Sequence, residues 1–190
     1  VALTEAGPEI GVASTKAFTA QLAALAGLAG AAGVARGTLS ETDAAPLAAA
    51  LLEAPRRVNE ALALEPEVEA IARSLMHASD VLYLGRGPFF PLALEGALKL
   101  KEISYIHAEG YPGGELKHGP IALIEDGSPV VVVAPKDALF GKMMSNVEEV
   151  IARGAEVILI TDEPGAAEAS HLPARTLVIP TTHPMIQPIV

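Results

Sequence analysis

Two patterns of apolar residues divide this chain. Up to about Ser79 the apolar positions recur at helical spacing or run together in Ala-rich stretches; from Asp80 onward short aliphatic runs alternate with helical segments. Ala17 to Ala32 reads as a nearly all-apolar helix, with Ser14 or Thr15 as its N-cap and Gly33 as its stop. A helix apolar all round is expected to be buried on several sides, and its small residues admit the close approach of a second helix. The polar break GTLSETD (37–43) marks the main boundary. Ser40 and Asp43 are candidate caps for a helix from about Ala45 to Leu64; Pro46 suits its first turn, and Pro55 is expected to kink or divide it. Glu65-Pro66 restarts a helix carrying Val68, Ile71, Leu75 and Met76 on one face, with His77 near its end as a surface or capping residue.

The second half changes period. Val81–Leu84 is a short buried strand, and Gly85-Arg86-Gly87-Pro88 turns it into a central helix. Tyr105 to Glu109 is a second candidate strand. Pro129–Ala134 (PVVVVA) is apolar on both faces, as interior parallel strands are. A helix over 137–153 stopped by Gly154, a strand at 157–160, a polar loop and a last strand at 176–179 complete the alternation. Strand–helix alternation with short connections predicts an α/β fold: a doubly wound, mainly parallel sheet with flanking helices. Right-handed crossovers put ligand sites at the carboxyl ends of such strands, near Gly85–Gly87 and the segment leading to His118. The Gly-rich turn is neither a dinucleotide fingerprint nor a phosphate-binding P-loop.

Candidate chemistry concentrates in Leu92–Pro120, LALEGALKLKEISYIHAEGYPGGELKHGP. On an ideal helix Glu95, Lys99 and Glu102 share one face, while Leu94, Ala97, Leu98 and Ile103 offer an apolar stripe for the core. A carboxylate one turn from an ammonium is a plausible proton-transfer pair, and His118 is a further candidate acid–base group. The competing interpretation is a solvated helix face, where Glu–Lys spacings of this kind are common.

Composition then narrows the classes. The chain has 190 residues, 51% of them hydrophobic, and a net charge of −10. The acidity argues against a nucleic-acid binder or a basic membrane-surface protein. There is no Cys, which removes disulfides, thiol nucleophiles and thiolate metal sites together. Residue spacings suggest no metal and no organic cofactor. No signal peptide is evident, so a soluble cytoplasmic protein is expected, and the abrupt start VALTEAGPEIG suggests a segment of a longer protein.

EIGVASTKAFTAQL, LGRGPFFPLALEGALKLKEISYIHAEGYPGGELKHGP, VVVVAP and SNVEEVIARGAEV, in this order, resemble the isomerase half of the glutamine–fructose-6-phosphate aminotransferase family. That half is built from two sugar isomerase (SIS) domains of the flavodoxin-like, three-layer kind. The resemblance implies residues 1–35 as the end of a first SIS domain, 36–65 as a connecting helical segment, and 66–190 as a second SIS domain, incomplete at its C-terminus. It also implies that fructose 6-phosphate is converted to glucosamine 6-phosphate by a homodimer whose complete chain carries a glutaminase domain. Glu102 matches the general base, Lys99 the lysine assisting ring opening and proton handling, and His118 the ring-opening histidine that reaches the neighbouring subunit's site. Glu95 matches an acidic position of the same helix, and Val12 and Ser14 a loop touching the sugar, partly through its backbone. The family's phosphate-gripping Ser/Thr loop and its imine-forming lysine have no counterpart here, so this chain alone is expected to have little or no synthase activity. The alternatives are a stand-alone SIS amino-sugar-phosphate deaminase/isomerase and a non-catalytic sugar-phosphate sensor; the latter pairs with a DNA-binding helix of which this sequence gives no sign.

Overall fold

A computed structural model describes residues 3–190. The chain forms two units: one runs to Leu62 and takes in Pro180–Val190, the other is Ala63–Ile179. Residues 3–10 form neither helix nor strand.

In the first unit, helix α1 (Lys16–Ala35) packs on α2 (Glu41–Leu62). The approach is close because α1 presents glycines: a Cβ on Gly30 would stand 3.1 Å from Leu47, and one on Gly33 3.1 Å from Leu39. Ala26, Leu47, Ala54, Ile186 and Ile189 form the small core. Three expectations are corrected here. Only Ala26 of α1 is buried, and Leu25 and Leu28 are 60% and 65% exposed, so an all-apolar composition did not yield burial on several sides. Neither Ser14 nor Thr15 caps α1 through its side chain. Instead the Glu9 carboxylate accepts from the Thr15 and Ala17 amides (3.1 and 2.8 Å), reaching the helix start from six and eight residues upstream. Pro55 does not divide α2, which is continuous through Pro46 and Pro55. Ser40 does serve as expected, accepting from the Asp43 amide at 3.0 Å. Among the described residues α1 is the one helix that by length and composition alone would suffice to cross a membrane.

The second unit is built on a five-stranded sheet in the order β2-β1-β3-β4-β5, every pairing parallel. Its strands are β1 (Asp80–Gly85), β2 (His107–Pro112), β3 (Pro129–Val133), β4 (Glu156–Asp162) and β5 (Ala174–Ile179). Side chains alternate between faces as the pleat requires. Leu82, Leu84, Val130, Val132, Val157 and Leu159 point to one core, shared with Phe140, Met143, Val147 and Val150 of α5 (Phe140–Ile151) and Ala169 of α6 (Glu163–Ala169). Val81, Val131, Ile158 and Leu177 point to the other, closed by Ile71 of α3 (Glu65–Leu75) and Ala97 of α4 (Phe90–Ser104). This is the expected α/β, doubly wound parallel sheet.

Details differ where local signals met tertiary demands. Val68 and Met76 of the α3 stripe stay 48% and 66% exposed. Of the α4 stripe Ala97 is buried as expected, together with Ala93, while Leu94, Leu98 and Ile103 are exposed. Small residues win that contact because α4 lies almost on the strands; a Cβ on Gly110 would meet the Leu94 backbone at 2.9 Å, and one on Gly96 the Tyr83 ring at 2.8 Å. Tyr105 is not in a strand but caps α4 in the left-handed region (φ 64°), its amide donating to the Lys101 carbonyl. The polar loop expected after β4 holds α6, started by the buried Asp162.

Candidate active site

Helix α4 begins where β1 ends. Gly85 is required there, since a Cβ would lie 2.2 Å from the Phe89 carbonyl oxygen, and a 3₁₀ turn (Gly87–Phe89) swings the chain into the helix. With Ala93 and Ala97 against the sheet, 3.6-residue periodicity turns Glu95, Lys99 and Glu102 to the opposite face. Lys99 Nζ pairs with Glu95 Oε1 at 2.7 Å and donates to Glu102 Oε2 at 3.3 Å. The three side chains are 25%, 23% and 30% exposed, so none stands free in solvent. The hydrogen bond that Lys99 donates to Glu95 is the main reason the Lys99 pKa is raised; desolvation works against it, and Glu102 adds a second upward contribution. Lys99 is therefore held as an ammonium between two carboxylates, a fixed charge suited to steadying negative charge beside it.

His118 arises differently. A 3₁₀ segment, Gly113–His118, follows β2 directly and is anchored by Leu116, which is fully buried. The imidazole is exposed, and its Nδ1 lies 2.9 Å from Glu115 Oε2. A carboxylate on Nδ1 orients the ring and leaves Nε2 available for acid–base work. The sequence reading passed over Glu115; the available signal was its position three residues before the histidine.

The sheet sets these parts far apart within one chain. Helix α4 returns to the amino edge, where His107, three residues past Ser104, pairs with Asp80; β2 then runs to Pro112, paired with Gly85 at the carboxyl edge. Glu102 lies on the helix that covers one face of the sheet, while the segment carrying His118 is anchored through Leu116 in the core on the other face, alongside α5. Glu102, Lys99 and Glu95 are brought together; His118 of the same chain is not brought to them. Val12 and Ser14 belong to the other unit, where Val12 is exposed and Ser14 Oγ donates to Glu9 at 3.4 Å.

Two clefts lie elsewhere in the second unit. An open one of about 680 Å³ at the amino edge is lined by polar groups including His77, Asp80, His107 and Glu156. A crevice of about 10 Å³, room for scarcely one water, sits at the carboxyl ends of β1 and β3 beside Arg86, Ala134 and Asp137. The β1/β3 junction is where the strand order reverses, but neither cleft includes Glu95, Lys99 or Glu102. The Glu95–Lys99–Glu102 cluster therefore lies on the α4 face, outside the larger of these two clefts. Among the described residues no group of three or more His, Cys, Asp or Glu is arranged to hold a metal ion.

A parallel 2-1-3-4-5 sheet with an acid–base cluster on the helix after β1 defines a class, and the family comparison agrees: the SIS domain model matches residues 74–185. The chain belongs to the SIS domain family. Over 98% of its length it is 60% identical to the glutamine–fructose-6-phosphate aminotransferase (isomerizing) of Mesorhizobium japonicum, and it spans 31% of that protein. The C-terminal domain of glucosamine-fructose-6-phosphate aminotransferase from Francisella tularensis superimposes with a TM-score of 0.94 at 43% identity, over 97% of this chain and 52% of that one. The glucosamine-6-phosphate deaminase of Thermotoga maritima shares the fold, with a TM-score of 0.66 at 22% identity over 96% of this chain and 49% of that one.

Proposed function

We propose that this chain carries the sugar-phosphate isomerase chemistry of a glutamine–fructose-6-phosphate aminotransferase. Fructose 6-phosphate is opened, forms an imine with ammonia derived from glutamine, and becomes glucosamine 6-phosphate by proton transfer between its first two carbons. The observation that carries this reading is the Glu102 carboxylate, half-buried and steadied by Lys99 on the α4 face turned away from its own sheet. Glu102 is the general base that takes the proton from one carbon and returns it to the next. Lys99 assists ring opening and proton handling, with Glu95 balancing its charge. His118 opens the ring in the site of a second subunit. That assignment is supported by the placement of the His118 segment and α4 on opposite faces of the sheet within one chain. Val12 and Ser14 touch the sugar, partly through backbone groups.

The relatives supply the rest of the proposal. Residues 1–35 end a first SIS domain, 36–65 connect, and 66–190 form a second. Glutamine hydrolysis and the imine-forming lysine are assigned to other parts of a longer polypeptide, so this segment alone has little or no synthase activity. The assembly is a cytoplasmic homodimer whose partner is a sugar phosphate, with no nucleic acid, membrane or cofactor involved.

The test is Glu102→Gln in the full-length enzyme. General-base catalysis of this kind is worth about 10²–10⁴-fold, and turnover is expected to fall by that factor while binding of fructose 6-phosphate is retained. Wild-type turnover in this variant would overturn the assignment.

A further inference from the structure

Helix α5 has a role that its core packing does not exhaust. Asn146, Glu149 and Arg153 recur at i, i+3 and i+7 and share one side, although Arg153 lies just past the helix end. Each is engaged with the connection that carries His118. Glu149 Oε1 pairs at 2.7 Å with Nζ of Lys117, the residue immediately before the histidine. Arg153 donates to the Ile121 carbonyl at 3.1 Å, three residues beyond it. Gly113 opens the segment directly against α5: a Cβ there would stand 2.8 Å from Met143 Sδ and 2.9 Å from Asn146 Oδ1. Asn146 extends the chain of contacts to Glu149 Oε2 (3.5 Å) and, at 3.4 Å, to Arg86 in the turn after β1.

The segment is thus fastened on both sides of His118, by residues of α5 and of the turn just after it, in addition to Leu116 in the core. The two longer contacts are weak; the Lys117–Glu149 pair is the strong one. Its carboxylate side chain is 26% exposed and that of Lys117 64%, so the glutamate is the held end of the pair and the lysine the solvated one. The imidazole itself stays free. Such an arrangement suits a group that must present itself at a fixed point outside its own chain, because an acid–base residue misplaced by about 1 Å forfeits on the order of 10²-fold.

We propose that Glu149, acting through Lys117, is a positioning residue for His118: it fixes the loop from which the imidazole opens the sugar ring. The proposal rests on the ring-opening role assigned to His118 above. In the full-length enzyme, Glu149→Gln and Lys117→Met are compared with wild type on two substrates. One is fructose 6-phosphate; the other is 5-deoxyfructose 6-phosphate, which lacks the hydroxyl that closes the ring and needs no opening. Turnover of the cyclic substrate is expected to fall about tenfold or more in each variant. Turnover of the open-chain substrate stays near that of wild type, which also shows that the variants are folded. The double variant is expected to be no slower than the worse single one, since both remove the same contact. Equal losses on both substrates, or no loss on either, would overturn the proposal while an active wild type leaves the functional reading standing. A wild-type enzyme inactive toward fructose 6-phosphate would overturn both.

Discussion

Asp162 shows how much a single side chain organises at the carboxyl edge of the sheet. It is 3% exposed, and its Oδ1 accepts from the Lys136 amide (2.9 Å) and the Gly165 amide (3.3 Å), so it starts α6 and ties down the segment after β3. Beside it the buried Thr161 hydroxyl donates to the Ala134 carbonyl at 2.7 Å. Removing Oδ1 leaves two amides short of a partner. Asp162→Ala is therefore expected to cost about 1–3 kcal/mol, and Asp162→Asn, which keeps an acceptor in place, clearly less. Urea denaturation of the two variants measures the difference, and equal losses would show that the hydrogen bonds are not the cause.

Within α4, the Glu95–Lys99–Glu102 row makes a prediction about titration. Lys99 has its pKa raised, chiefly by its hydrogen bond to Glu95. The linkage sign follows: a lysine that binds its proton more tightly when folded contributes stability that is complete below its unfolded pKa, and this is lost as pH rises through the folded value. The window accordingly opens above 10.5, the ordinary lysine value. Side-chain NMR is expected to show Lys99 titrating above that value in the wild type and lower in Glu95→Gln. A titration unmoved by the substitution would mean the 2.7 Å contact does not persist in solution. The same helix illustrates a limit of periodicity, since Leu94 and Leu98 look like core residues and are not; α4 meets the sheet through alanines because only they allow so close an approach.

At the scale of the whole molecule, α4 and the His118 segment lie on opposite faces of the sheet, and the proposed site joins Glu102 of one copy with His118 of another. Glu102→Gln and His118→Ala homodimers of the full-length enzyme are each expected to be nearly inactive. Mixing them under conditions that exchange subunits should restore activity, because a mixed dimer contains one site with both wild-type groups. Failure to recover activity in verified mixed dimers would place both residues in a site within one chain, or outside catalysis.

The doubly wound sheet was legible from the residues because it rests on local repetition: VVVV and VILI can only be strands with both faces covered, and the helices between them carry their own period. The clustering of Glu95, Lys99 and Glu102 was legible for the same reason, being a property of one helix. The Glu9 cap, the Glu115–His118 contact and the α5 fastening were not singled out. Each depends on where a loop lies in space or on contacts between separate elements, and no periodicity encodes that. The face α4 turns to the sheet was misjudged because the distance between helix and strands, set by Gly96 and Gly110, outweighed hydrophobicity. Local spacing was enough to say which groups lie on one helix face; that the His118 segment lies across the sheet from them was decided by the burial of Leu116 in the core under α5.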